Sequence, residues 1–88
     1  MSSARINQLV DEAINHHAAG RLHEADRLYR DVLAKQPNNA AARHGRGVIA
    51  LQSGRPAEAV DWITQAVKLE PRVAMYQSNL GEALRVSG

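Results

Sequence analysis

Catalysis and metal binding need nucleophiles, acid–base groups or clustered ligands, and this chain offers few. Its 88 residues contain no cysteine and four histidines, His16, His17, His23 and His44. Without cysteine there is no disulfide, no thiolate nucleophile and no Cys-based zinc site. His16 and His17 are adjacent, so on a helix they point about 100° apart and do not easily share one ion. His17 and His44 can face one surface, but two ligands are too few for a structural zinc. There is no glycine-rich phosphate loop, no Gly-x-Ser-x-Gly elbow and no His-Glu-x-x-His helix. The glycines of His44-Gly45-Arg46-Gly47 fall inside a helix rather than in a loop. The expectation is a non-catalytic chain with no metal and no cofactor, whose histidines are solvated or partly packed.

Charge points the same way. Eleven Lys and Arg against nine Asp and Glu leave a formal net charge of +2. Like charges do not gather in blocks, and one Trp and two Tyr are the only aromatic residues. A nucleic-acid surface needs clustered cations with stacking aromatics, so no nucleic-acid partner is expected. No apolar run approaches a membrane span. The N-terminal Met1-Ser2-Ser3-Ala4-Arg5 leads into an amphipathic stretch with Asp11 and Glu12, not into an apolar signal core. A soluble, cytoplasmic domain without a membrane partner is the expectation.

The elements that position these residues repeat. Gly20, Gly54 and Gly88 are spaced by 34, as are Ala25 and Ala59, Pro37 and Pro71, and Gly47 and Gly81. A period of 34 with such punctuation marks a solenoid of helix–turn–helix units. Gly20 and Gly54 end the first helix of a pair, where the chain turns left-handed. Pro56 suits the first turn of the next helix, and Pro37 and Pro71 stop the second helix of each pair. Gly47 and Gly81 lie inside helices at a cost of about 1 kcal/mol each against Ala. Both are expected where a neighbouring helix passes too close for a methyl group; Ala13 holds the matching place in the first unit. Apolar stripes at helical spacing run through Ile6, Leu9, Val10, Ala13 and Ile14, through Leu22, Ala25, Tyr29, Val32 and Leu33, and through Ala59, Val60, Ile63, Ala66 and Val67. They predict five helices, at about 3–19, 22–35, 39–53, 56–69 and 72–86. The single all-α domain divides into a first repeat at about 6–39, a second at about 40–73 and a half repeat or capping helix at about 74–88.

Gly47, Gly54, Ala59, Ala66 and Pro71, with Ala25, Tyr29 and Pro37 one unit earlier, fit the small and punctuating positions of the tetratricopeptide repeat. The chain resembles that family over nearly its whole length. The resemblance implies antiparallel helix pairs stacked as a right-handed solenoid. Arg43, Arg46, Glu12 and His16 depart from it, standing where the family usually has apolar residues. Residues 47–59 look like the N-terminal arrays of large bacterial tetratricopeptide proteins, many with a glycosyltransferase, sulfotransferase or methyltransferase domain downstream. Ser78-Asn79-Leu80-Gly81 resembles the repeats of O-linked N-acetylglucosamine transferases, although the matching places hold Asp11 and Gly45 instead of asparagine.

In this family the first helices of successive repeats line a concave groove that binds an extended or helical segment of a partner protein. Carried over, the groove residues are Asn7, Val10, Asp11, Ile14 and His17, then Ala41, His44, Gly45, Val48 and Leu51, then Met75, Ser78, Asn79 and Glu82. Such a groove is largely apolar and suits a ligand with hydrophobic anchors, although each apolar member can equally belong to the core. Members that clamp a C-terminal carboxylate do so with Lys, Asn and Arg. The corresponding residues here are Val10, Ile14, Gly45, Met75 and Asn79, so no binding of an acidic C-terminal tail is expected. Outside the groove, Trp62 is expected to pack half-buried between repeats. Glu12 and Arg46 occupy equivalent places on stacked helices and are expected to pair.

The resemblance therefore implies a non-catalytic protein-interaction module or scaffold. The alternative is the N-terminal recognition arm of a larger bacterial transferase, present here as a fragment. A capping helix should be polar on its outer face. Leu80, Leu84 and Val86 spread over more of the last helix than one buried stripe needs, which favours a fragment and suggests a homo-oligomer through that open helix.

Overall fold

Four glycine and proline punctuation sites, Gly20, Pro37, Gly54 and Pro71, cut the chain into five helices in the computed structural model, which describes residues 2–88. They are α1 (Ser3–Ala18), α2 (Leu22–Lys35), α3 (Ala40–Gln52), α4 (Pro56–Leu69) and α5 (Ala74–Ser87). Each expected boundary lies within two residues of the observed one. The start of α1 is capped by Ser2, whose side chain accepts from the Arg5 N–H at 3.1 Å. Asn39 does the same for α3, accepting from the Ala42 N–H at 2.9 Å. Both satisfy helix donors that have no intrahelical partner.

The turns within the two hairpins are built alike. Gly20 has φ +81° and Gly54 φ +78°. In the first, the Arg21 N–H reaches His16 O at 2.9 Å and the Gly20 N–H reaches His17 O at 3.0 Å. In the second, Arg55 bonds Ala50 O and Gly54 bonds Leu51 O. This is the paired closure of a left-handed helix end, which a residue with a Cβ adopts only with strain. The links between hairpins also match. Arg43 Nε donates to Pro37 O at 2.7 Å and Gln77 Nε2 to Pro71 O at 2.5 Å.

Packing follows the stripes. Ile6, Leu9, Val10 and Ala13 of α1 meet Ala25, Tyr29 and Val32 of α2 and Ala42 and Ile49 of α3. Ala50, Ala59, Ile63 and Ala83 join α3, α4 and α5 in a second cluster, and Ala40, Ala66 and Tyr76 form a third. Small residues at these contacts bring the helix axes together. A Cβ on Gly47 would lie 2.5 Å from Ile63 Cγ1 and 3.1 Å from Trp62 Cβ, so α4 does pass too close there for a methyl group. Gly81 corrects the parallel expectation: no described heavy atom lies within 4 Å of where its Cβ would be. Among the described residues, no element covers α5 as α4 covers α3.

Arg46 also departs from expectation. It pairs with Asp26 of α2 at 3.0 Å, not with Glu12, and Asp26 reaches Arg30 at 3.6 Å. The reason is topological: α2 packs against both α1 and α3 and brings the Asp26 carboxylate to Arg46. The Arg46 and Arg43 guanidinium carbons lie 4.7 and 5.7 Å from the centroid of the half-buried Trp62 ring. The two cations thus rest against an aromatic face and one of them meets a carboxylate, which explains why the repeat tolerates them where apolar residues are usual.

Candidate functional site

The first helices of the pairs, α1, α3 and α5, lie side by side and enclose a hollow of about 550 Å³. Ile14, His17 and Ala18 line it from α1, and Ala41, His44, Gly45, Val48 and Gln52 from α3. Met75, Tyr76 and Asn79 come from α5, and Tyr29 reaches it from α2. Among these described lining residues none is Lys, Arg, Asp or Glu. Ile14 and Met75 belong to this lining with 49% and 58% of their surface exposed.

Two histidine–carboxamide pairs cross the hollow. Asn79 Nδ2 donates to His44 Nε2 at 2.7 Å, which makes that imidazole nitrogen an acceptor and leaves the proton on Nδ1. The His44 ring is 9% exposed and stacks on Tyr76, with centroids 4.6 Å apart and planes 30° from parallel. Its pKa is lowered, first by burial and then by the charge of His17, so at neutral pH the His44 ring itself is uncharged. The second pair has the opposite sense. His17 Nε2 donates to Gln52 Oε1 at 2.6 Å, and its ring meets Tyr29 edge-on at 6.5 Å.

Gly45 is what lets Tyr29 take part. A methyl group at Gly45 would fall into the Tyr29 ring, so the glycine opens a slot through α3 for an aromatic from α2. Burial raises the Tyr29 phenol to about 12, with Tyr76 adding to the shift, so the hydroxyl stays protonated in neutral solution.

Of the residues expected on the groove, Ile14, His17, Ala41, His44, Gly45, Val48, Met75 and Asn79 line the hollow. Val10 instead points into the first core, 8% exposed, and Leu51 packs against the second. Asn7, Asp11 and Ser78 are exposed outside the hollow, and Glu82 pairs with Arg85 on the surface at 2.5 Å. Tyr29, Gln52, Tyr76 and Ala18 line it without having been expected there. Tyr29 had been assigned wholly to the inner stripe, yet Gly45 directly across from it signals an aromatic reaching through.

The architecture is that of a helical-hairpin solenoid, all α-helix and open along one concave face. The tetratricopeptide repeat family model matches residues 10–71, and the chain belongs to that family. Among curated proteins there is no match to the chain. Repeats of this family generally mediate protein–protein interaction, and such modules are typically non-catalytic. No helix of the described residues is long and apolar enough to cross a membrane.

Proposed function

We propose that the hollow between α1, α3 and α5 binds a segment of a partner protein through uncharged, apolar anchors. The observation that carries this reading is the lining itself. A concavity of about 550 Å³ has the size of a ligand pocket and presents Ile14, Val48 and Met75 beside two polar pairs, with no described charge among them. An aliphatic or aromatic side chain of the ligand fills the hollow. His44, Asn79, His17 and Gln52 exchange hydrogen bonds with its main chain. The same groove serves a stand-alone adaptor or the recognition arm of a larger transferase.

Selection from a random peptide display library tests it. Ile14→Asp and Val48→Asp each place a carboxylate in the hollow, and Trp62→Leu is a control outside it. The selected peptides should be rich in apolar residues and poor in C-terminal acids. Their affinity should fall at least about tenfold, near 1.4 kcal/mol, in both aspartate variants and stay unchanged in the control. Peptides that bind Ile14→Asp and Val48→Asp as well as the wild type would refute the reading.

A further inference from the structure

Tyr29 and Tyr76 line the hollow and are its most buried large side chains, 2% and 6% exposed. Neither phenol hydroxyl has a hydrogen-bond partner among the described residues; the polar pairs of the hollow join histidines to carboxamides instead. Neither hydroxyl is sealed away, because no buried side-chain nitrogen or oxygen of the described residues lacks a partner. Each therefore reaches open space, and for rings so deeply buried that space is the hollow they line. At Tyr29 the direction is explicit. A Cβ at Gly45 would collide first with Tyr29 Cζ, the carbon that bears the hydroxyl. The hydroxyl end of the ring, not its side, thus arrives at the slot in α3, and Gly45 is itself part of the lining. The two phenols are near enough for the charge of one to act on the other. Burial holds both above the usual phenol range, so both stay protonated and able to donate at neutral pH.

Two unengaged donors in one cleft call for an oxygen of the ligand. That oxygen is uncharged: the lining holds no Lys or Arg, so a carboxylate or phosphate would leave water with no cation to replace it. It is carried on an apolar shaft, since Ile14, Val48 and Met75 form the rest of the wall. An aromatic shaft gains most, because the rings of His17 and Tyr29 and of His44 and Tyr76 are already gathered there. A carboxamide brings two further N–H groups to satisfy, whereas one hydroxyl accepts from one phenol and donates to the other. With the hollow taken as the place where the partner's anchor enters, we infer that this anchor is a tyrosine side chain, its ring against Ile14, Val48 and Met75 and its unmodified hydroxyl hydrogen-bonded to Tyr29 and Tyr76. Phosphorylation of that tyrosine adds up to about two negative charges. No cation of the lining receives them, so the phosphorylated segment is excluded.

Titration of the protein with N-acetyl-tyrosinamide, its O-phosphate and N-acetyl-phenylalaninamide, followed by amide chemical shifts, tests it. Tyrosinamide should bind at the hollow with Kd on the order of 1 mM, about tenfold more tightly than phenylalaninamide, and the phosphate should not bind. Tyr29→Phe and Tyr76→Phe keep both rings and hence the packing. Each should weaken tyrosinamide alone and bring the two amides within about twofold of each other. Trp62→Leu, outside the hollow, should keep the tenfold preference. Equal affinity of the two amides for the wild type, a preference that survives in both phenylalanine variants, or binding of the phosphate would overturn the inference. So would the absence of shifts from either amide up to about 20 mM. The groove reading stands apart from these results as long as display-selected peptides lose affinity in Ile14→Asp and Val48→Asp; if they do not, both fall.

Discussion

Replacing Gly47 and Gly81 by alanine, one at a time, measures how closely α3 and α4 approach. The two glycines occupy equivalent places in successive helices. Intrinsic helix preference favours both substitutions by about 1 kcal/mol, so that contribution cancels in the comparison. What remains is the contact. At Gly47 the new carbon would sit 2.5 Å from Ile63 Cγ1, 3.1 Å from Trp62 Cβ and 3.2 Å from Ile63 Cδ1. Carbon pairs attract best near 3.5–4.0 Å. Ile63 is fully buried and Trp62 Cβ is anchored to the α4 backbone, so neither yields freely. Overpacking of this kind costs about 1–3 kcal/mol. At Gly81 the same carbon meets nothing within 4 Å. Gly81→Ala should therefore raise stability by about 1 kcal/mol, and Gly47→Ala should fall below it by about 1–3 kcal/mol. In a domain of this size each kcal/mol moves the thermal midpoint by about 4–8 °C. Thermal and urea unfolding reads the difference. Equal stabilisation by both substitutions would refute the close packing of α4 on α3.

Two further predictions concern pH. The Tyr29 phenol ionises near 10.0 in an unfolded chain and is raised to about 12 by burial and by Tyr76. Its stabilising contribution is complete below pH 10 and is lost as pH climbs toward 12, in total roughly 3 kcal/mol. Urea midpoints of Tyr29→Phe should decline less over that range than those of the wild type, and parallel declines would refute this. His44 has the opposite sign. Its folded pKa lies below 6.5, so the unfolded chain takes up the proton first. Stability is complete above about pH 6.5 and falls as the solution is acidified through that value. His44→Gln should flatten the slope between about pH 7 and pH 5, and an unchanged slope would place the loss elsewhere. Arg46 and Asp26, each with a side chain 26% exposed, should show a coupling of about 0.5–1 kcal/mol in a double-mutant cycle of Arg46→Met and Asp26→Asn. The Arg46–Glu12 cycle should show none.

The helices were legible in the sequence because local rules decide them. Gly20 and Gly54 do take the left-handed turn, and Pro56 does open α4. Gly47 was legible as a close approach because the opposing element, α4, is part of the same chain. The identical argument failed at Gly81, since a glycine records a permitted approach and not the presence of a neighbour. Stacking like on like pairs Arg46 with Glu12. The adjoining α2 supplies Asp26 from a nearer place, which only the three-dimensional path reveals. In the groove, the family resemblance placed Ile14, His17, His44, Val48, Met75 and Asn79 on one face. It did not separate Val10 and Leu51, because one helical stripe serves both core and concavity. Tyr29 was hidden by the assumption that second helices stay behind the first. The gap at Gly45 removes that barrier.

Mapping a display-selected peptide onto the protein by amide chemical-shift perturbation tests the central claim, that the concave face is the binding surface. The account predicts that the largest shifts cluster on Ile14, His17, Val48, Met75 and Asn79, with the His44–Asn79 side-chain resonances moving in concert. Shifts concentrated on α2 and α4 around Trp62, with the groove residues unmoved, would contradict it.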